Sequence, residues 1–320
     1  MRELSSIALV ESTKPVIRAA RWCALACAAA LSACVPADEA IGLGSVQFTF
    51  RASPMTQEGI QESETVDRWS IDFDRIVLGF KTMTIGQVGV ADVCSYRGRG
   101  AATDVVFDPR LGVVQTFNGL QPVQCPDVGI IFGPPWDTTT LGDGATSQDL
   151  VELGTGRPAH AIVEATANRR RFSGSGPTTL RIALRFDTDL TSSRFGGCRA
   201  AARGIRILEG ERDQVSVRFA AERLFAEAIS TNARLRVAPF AVADREGNDD
   251  GIVTMDELDS LPLWELGVVG EFYQLPDGSR AGSFGDFVRV LFRFTIMFRN
   301  DDGLCVGNEP GSEEGGQVSP

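Results

Sequence analysis

The residues best suited to chemistry lie at 246–257, in the segment Glu-Gly-Asn-Asp-Asp-Gly-Ile-Val-Thr-Met-Asp-Glu. Oxygen-bearing side chains alternate along it around Gly251, as in the calcium loop of a helix-loop-helix. A hard cation needs six to eight oxygen ligands, and a loop that turns sharply at glycine presents every second side chain inward. The predicted calcium ligands are Glu246, Asn248, Asp250, the carbonyl oxygen of Ile252, Thr254 and Glu257.

Two features of this segment allow a second interpretation. Its first position holds Glu246 instead of the usual aspartate, and Asp244 could take that position only in a longer loop. Its last four residues, from Thr254 to Glu257, also match a helix capping box, which needs no metal. An acidic turn that opens a helix is therefore the alternative to a calcium loop.

Short helices are expected on both sides of the segment. Pro239 is placed to open a helix that leads into it. Residues 254–266 predict the helix that leaves it, broken or restarted at Pro262. Farther along, residues 288–299 fit both a strand period and a helical period. Ser283 with Asp286 forms a helix cap pattern just before them, which favours the helix.

The segment from 45 to 220 is predicted to form strands. Apolar and polar residues alternate over Val46–Phe50, Trp69–Phe73 and Leu180–Phe186, the period of half-buried strands. Turn-forming Gly, Pro, Asn and Asp separate such runs. The expected fold class is mainly β, an antiparallel β-sandwich on which residues 221–306 pack as a small helical, EF-hand-like appendage.

The N-terminus has the features of an export signal. Basic residues up to Arg21 precede an uncharged apolar run from Trp22 to Ala33. This run is too short to span a bilayer as a helix, but it has the size of a secretory signal core. Residues 1–33 are therefore predicted to be a lipoprotein signal peptide that is removed on export.

The signal ends in Leu31-Ser32-Ala33-Cys34, which resembles the lipobox of bacterial lipoproteins. In such proteins the cysteine becomes the first residue of the mature chain and carries acyl chains, palmitate among them, that hold it to a membrane. Val35 follows, and the sorting rule of such lipoproteins then favours the outer membrane. Cys34 is the predicted lipidation site and residues 34–44 the tether. The alternative is an ordinary secreted protein cleaved near Ala33.

Four cysteines follow the lipobox: Cys94, Cys125, Cys198 and Cys305. An even number in an exported chain predicts two disulfides, for which three pairings exist. We favour Cys94 with Cys125, which closes a local loop, and Cys198 with Cys305, which ties the C-terminal segment to the sheet. A four-cysteine zinc site is the alternative, but it lacks the CxxC spacing that structural zinc prefers.

The remaining composition excludes several classes of function. A net charge of −11 argues against nucleic acid as a partner and against docking on anionic lipid. His160, the only histidine, has no accompanying nucleophile pattern and is expected to be a structural or surface residue. Trp136 is expected to cover a sheet edge rather than present a stacking surface to a sugar or peptide. Residues 307–320 predict a disordered acidic tail.

Three stretches resemble an uncharacterised family of exported bacterial lipoproteins with an EF-hand-like calcium loop. They are Asp-Arg-Trp-Ser-Ile-Asp-Phe-Asp-Arg at 67–75, the segment at 246–257, and the last cysteine after Asp301-Asp-Gly-Leu. In that family a His-containing stretch precedes the loop, whereas the matching residues here, 219–225, contain no histidine. The resemblance spans most of the mature chain and implies export and calcium binding, with no known activity.

Together these features predict an outer-membrane lipoprotein of the cell envelope, a binding or structural module stabilised by one calcium ion. Its expected partners are the membrane, through the lipid anchor, and an envelope protein or a glycan. The chain carries no catalytic signature and is not expected to be an enzyme. The alternatives are an envelope enzyme acting on polysaccharide and an accessory subunit of an envelope transport complex. Buried carboxylates in a cleft would favour the enzyme, and an exposed aromatic patch would favour partner binding.

Overall fold

The computed structural model describes residues 42–85, 96–97, 104–120, 123–125, 128–169, 178–187, 194–196, 205–230, 232–266, 273–275, 279–298 and 303–307. For some strand residues, Cys125 and Cys305 among them, only the backbone is described. The predicted signal peptide, the lipidation site Cys34, Cys94, Cys198 and the tail from 308 onward lie outside the described residues, and the predicted disulfides therefore stay predictions.

The described residues form strands and short helices. The strands are β1 Gly44–Ala52, β2 Trp69–Ile85, β3 Tyr96–Arg97, β4 Val105–Phe107, β5 Val113–Leu120, β6 Val123–Cys125, β7 Val128–Phe132, β8 Thr140–Leu141, β9 Ala159–Arg169, β10 Thr179–Asp187, β11 Arg194–Gly196, β12 Ile205–Ile207, β13 Arg212–Phe219, β14 Ile252–Thr254, β15 Ile296–Phe298 and β16 Gly303–Gly307. The α-helices are α1 Pro54–Glu58, α2 Ser147–Gly154, α3 Ala238–Glu246, α4 Met255–Ser260 and α5 Phe284–Phe292. Short 3-10 helices occupy Ala221–Phe225 and Leu263–Leu266.

Two mixed sheets make up the body of the protein, so the prediction of a mainly β fold is confirmed. One sheet has the order β5-β1-β13-β15-β16, and the other has the order β14-β10-β9-β2-β7-β11. Strand β16 pairs with β15 and with β11, which joins the two sheets. Most pairs are antiparallel as expected, but β1–β13, β10–β14 and β4–β8 are parallel. Alternating polarity reports which face of a strand is buried and carries no information on its direction.

Aromatic rings fill the space between the sheets. Phe50 of β1 lies 5.5 Å from the ring of Phe107, 6.0 Å from that of Phe132 and 6.4 Å from that of Phe80, all on the opposite sheet. All four rings are buried, and each buried phenylalanine contributes about 1.5–3 kcal/mol of hydrophobic stabilisation. Edge-to-face packing of such rings across two sheets gives the sandwich-like arrangement that the alternating strands predict.

The C-terminal part combines helices with strands. The predicted helices around the acidic segment correspond to α3 and α4, and the cap pattern at Ser283 and Asp286 opens α5. The ambiguous stretch 288–299 is divided: the helix ends at Phe292, and β15 begins at Ile296. Strand β14 belongs to one sheet, and β15 and β16 belong to the other. Residues 221–306 therefore also extend the sandwich. No helix among the described residues has the length and apolar character needed to cross a membrane.

His160 is buried in the core of the sandwich. Its ring stacks on Phe132 at 6.4 Å and meets Phe292 edge-on at 5.2 Å. Within the described part of the chain, neither imidazole nitrogen has a hydrogen-bond partner. Burial without a partner disfavours the charged form and lowers the pKa of His160 to about 3. The histidine is therefore held neutral in the folded state.

We expect this histidine to make the fold sensitive to mild acid. The pKa of His160 in the unfolded chain is about 6.5, so below that pH the unfolded state binds a proton that the folded state rejects. This contribution is absent above pH 6.5 and destabilises the fold by about 2 kcal/mol by pH 5. Urea unfolding at pH 7.5 and pH 5 should show a smaller acid-induced loss for His160→Leu than for the parent. An equal acid-induced fall in the free energy of unfolding for both proteins would show that His160 does not cause the sensitivity to acid.

Candidate metal centre

The acidic loop begins at the end of α3, and Asp67 fixes the start of this helix. One carboxylate oxygen of Asp67 accepts hydrogen bonds from the backbone N–H groups of Val237, at 2.9 Å, and Ala238, at 2.5 Å. These are among the N–H groups that have no acceptor inside a helix. Asp67 lies just before β2, so the chain at the start of this strand holds the start of α3, the helix that leads into the loop.

Glycine and left-handed backbone turn the chain after α3. Gly247 ends the helix, and a Cβ there would lie 2.7 Å from Oε1 of Glu257 and 2.9 Å from the carbonyl oxygen of Ala243. Asp249 has a φ of 53° and Gly251 a φ of 79°, both in the left-handed region. Gly251 thus serves the sharp turn that the sequence pattern assigns to it.

The loop continues into β14, which is bound to the edge of the sheet. Ile252, Val253 and Thr254 run parallel to Arg181, Ile182 and Ala183 of β10. The N–H of Arg181 donates to the carbonyl oxygen of Gly251 at 2.9 Å. Val253, at the position where such loops place an apolar side chain, is completely buried. The outgoing half of the loop is therefore held by the sandwich.

A capping box opens α4 directly after β14. The N–H of Thr254 donates to Oε2 of Glu257 at 2.8 Å, and the N–H of Glu257 donates to Oγ1 of Thr254 at 3.4 Å. The metal-free interpretation of these four residues is thus present in the structure. The capping box uses Oε2 of Glu257, while Oε1 lies 3.5 Å from the backbone nitrogen of Asn248, inside the loop.

Three carboxylates converge within this frame. Carboxylate oxygens of Asp244, Asp250 and Glu257 all lie within 4.8 Å of one another. Asp244 is buried, and one of its oxygens accepts from the N–H of Gly251 at 2.8 Å, whereas Asp250 is exposed. Two oxygens that both sit 2.3–2.6 Å from one ion are at most about 5 Å apart. The three acids therefore fit a single metal ion.

The electrostatics of the cluster also favour a cation. Burial raises the pKa of Asp244, and the negative charges of Glu257, Asp249 and Asp250 raise it further, although the Gly251 N–H opposes them. The raised pKa shows that a negative charge at Asp244 is destabilised in this position. A bound divalent cation would remove that penalty by pairing with the carboxylates.

Of the six predicted ligands, the structure brings the carboxylates of two into the cluster. Asp250 and Glu257 are in the cluster, but Glu246 is not, because it lies in the last turn of α3 and its half-exposed carboxylate pairs with Arg245 at 2.9 Å. Asn248 binds Asp250: its amide nitrogen donates to Oδ2 at 3.1 Å, and its Oδ1 accepts from the Asp250 N–H at 3.0 Å. The side chain of Thr254 contacts Oε2 of Glu257, and Ile252 lies in β14.

Asp244 is the acid that the sequence pattern does not select. The structure places it where the first ligand belongs because α3 extends through Glu246 and the loop becomes longer than the twelve-residue pattern. Gly247 is the residue in the sequence that could have revealed this, since it is a helix-ending signal one position after Glu246.

Comparison of the chain with protein-family models, with curated proteins and with solved structures gave no match. The interpretation of the centre therefore rests on its own geometry and chemistry.

Replacing Asp67 by alanine should release the start of α3. Two helix N–H groups would lose their acceptor, and we expect the free energy of unfolding to fall by about 1–2 kcal/mol. Asp143→Ala is the matched control, because that aspartate is exposed and its change should stay within about 0.5 kcal/mol. Urea denaturation measures both variants. A loss for Asp67→Ala no larger than for the control would show that the cap contributes nothing.

Proposed function

We propose that the protein is a membrane-anchored lipoprotein of the cell envelope whose loop, residues 244–257, binds one calcium ion. The observation that carries the proposal is the convergence of Asp244, Asp250 and Glu257 within the span of a single ion. In this proposal the ion is structural. The chain acts as a binding or structural module rather than as an enzyme.

The chemistry of the donors favours calcium over other ions. Every side-chain donor in the cluster is a carboxylate oxygen, the ligand class of hard cations, whereas structural zinc sites are built from cysteine and histidine. Magnesium demands near-ideal octahedral geometry and usually keeps several waters, with only one or two protein carboxylates. Three carboxylates in an extended, glycine-containing loop suit the larger and more tolerant ion.

The ion would tie together side chains from three elements that already pack against one another. Asp244 is on α3, Asp250 is in the loop, and Glu257 is on α4, so one ion would hold the two helices together beside β14. An ion that binds only the folded state stabilises it by mass action, by about 2.7 kcal/mol at one hundred times its dissociation constant. Calcium would thus fasten the C-terminal helices to the sheet.

The membrane anchor in this proposal is Cys34. The lipobox Leu31-Ser32-Ala33-Cys34 supports it, and Val35 favours the outer membrane. Acyl chains on Cys34 would make the membrane the first partner and leave the folded body free to bind an envelope protein or a glycan.

Calcium should raise the melting temperature of the protein, and the variants Asp244→Asn and Glu246→Gln distinguish the two candidate first ligands. Asp244→Asn and Glu257→Gln should abolish the rise because each removes a charge from the cluster. Glu246→Gln should keep it, because the Glu246 carboxylate pairs with Arg245. Scanning calorimetry with excess calcium and with chelator makes the measurement.

Two results would contradict this assignment. A calcium response that is lost in Glu246→Gln and kept in Asp244→Asn would restore the twelve-residue loop with Glu246 as first ligand. No calcium response in the parent would leave the capping box and an acidic turn as the function of these residues. Magnesium at the same concentration is the control for general charge screening.

The lipid anchor is tested separately with Cys34→Ser. If the cysteine is acylated, the parent should incorporate labelled palmitate and sediment with membranes, whereas the variant should do neither. A parent that is found unlabelled in the soluble fraction would instead support the ordinary secreted protein cleaved near Ala33. The calcium response of the folded body should be the same in both proteins.

A further inference from the structure

Trp136 is exposed, contrary to the expectation that it covers a sheet edge. It lies between β7 and β8, and 68% of the residue is accessible to solvent. By comparison, Trp69 at the start of β2 is completely buried. A large aromatic ring left in solvent contributes little to the core, so its position calls for another explanation.

A network of hydrogen bonds fixes the turn that carries Trp136. The N–H of Thr139 donates to the carbonyl oxygen of Trp136 at 2.9 Å, and the N–H of Trp136 donates to Oγ1 of Thr139 at 2.6 Å. The same hydroxyl donates to Oδ1 of Asp104 at 2.6 Å. Pro134 and Pro135 precede the ring and restrict the backbone further. The ring is therefore presented by a rigid support.

The inner face of the ring rests on a lysine. Nζ of Lys81 lies 4.1 Å from the Trp136 ring centroid and 2.5 Å from Oδ1 of Asp104. The lysine side chain is only 11% exposed, so the ammonium group is held in place. Gly133 leaves room for it, since a Cβ there would lie 2.9 Å from Cγ of Lys81. This cation–π contact orients the ring and leaves its outer face to solvent.

The turn that carries the ring also carries polar residues. Asp104 has a left-handed backbone with a φ of 71°, and in the described part of the chain its buried Oδ2 has no hydrogen-bond partner. Asp137, Thr138 and Thr140 are exposed beside the ring in sequence. Aspartate adopts this conformation more readily than most residues, so the unpaired carboxylate oxygen is the feature that needs an explanation.

We propose that Trp136 is a stacking platform for a pyranose ring of a neutral oligosaccharide. A pyranose has a flat face of C–H groups, which fits an exposed indole face, and a rim of hydroxyl groups, which can bond to the exposed carboxylate and hydroxyl side chains of the same turn, Asp137, Thr138 and Thr140. A polyanionic glycan is disfavoured by the net charge of −11. A cationic ligand is disfavoured because Lys81 already occupies the inner face of the ring.

This inference adds a ligand class to the binding role in the proposed function. It requires neither the calcium ion nor the lipid anchor, since the platform is built from β2, the turn before β8 and Asp104. Measuring sugar binding by the Asp244→Asn variant therefore tests the Trp136 platform separately from the calcium site. Retained sugar binding with a lost calcium response would support both, and sugar binding without any calcium response in the parent would support the platform alone.

The test is a titration of the purified protein with maltohexaose, cellohexaose and chitohexaose, followed by tryptophan fluorescence and calorimetry. At least one sugar should bind saturably at millimolar concentration. Trp136→Ala should weaken that binding roughly tenfold, and Trp136→Tyr should weaken it less, because an aromatic face remains. Trp264→Ala is the matched control, since Trp264 is also exposed, at 75%, on the 3-10 helix Leu263–Leu266.

Each remaining outcome overturns the proposal. Failure of all three sugars to bind excludes a platform for neutral hexose oligosaccharides. Binding that survives in Trp136→Ala, or that falls equally in Trp264→Ala, places the sugar elsewhere. Because Trp136 is exposed, its alanine variant should melt at the parent temperature, and circular dichroism confirms that a loss of binding is not a loss of fold.

Discussion

The parallel pairing of β14 with β10 is the contact on which the C-terminal structure depends. Strand β14 is only the three residues Ile252–Thr254, yet it lies between the incoming helix α3 and the outgoing helix α4. The edge of a large sheet thus holds the outgoing half of the loop, through the pairing of Ile252–Thr254 with Arg181–Ala183 and the hydrogen bond from Arg181 to Gly251.

The acidic cluster shows how one side chain can serve both structure and ion binding. Glu257 caps α4 with Oε2 and directs Oε1 toward the loop, so the capping box and the metal site are compatible rather than alternative. Asp244 likewise accepts the Gly251 N–H while facing two other carboxylates. Such crowding of negative charge is unfavourable without a cation, and a calcium ion would convert the strain into a link between two helices.

The turn that carries the exposed Trp136 is fixed by a cation–π contact and hydrogen bonds. An ordered tryptophan loses little conformational freedom on binding, because Lys81, Asp104 and Thr139 have already fixed its turn and one of its faces. The acidic loop and the turn that carries Trp136 use separate strands and separate side chains. A protein with both would combine a fold stabilised by an ion with a preformed contact surface.

The local parts of this structure could be read from the sequence. Alternation over Val46–Phe50 and Leu180–Phe186 identifies strands, and the patterns at Thr254 and Ser283 identify helix starts, because each depends on residues a few positions apart. A turn that requires glycine at Gly251 is equally local.

Only the tertiary structure decided the rest. The parallel register of β14 on β10, the exposure of Trp136 and the choice of Asp244 over Glu246 depend on groups distant in sequence. Asp244 enters the cluster because α3 continues through Glu246, whose carboxylate pairs with Arg245, and because β14 holds the outgoing half of the loop on the sheet edge. Spacing along the chain does not give distances in space, and only the loop held on the sheet by β14 brings Asp244, Asp250 and Glu257 within the span of one ion.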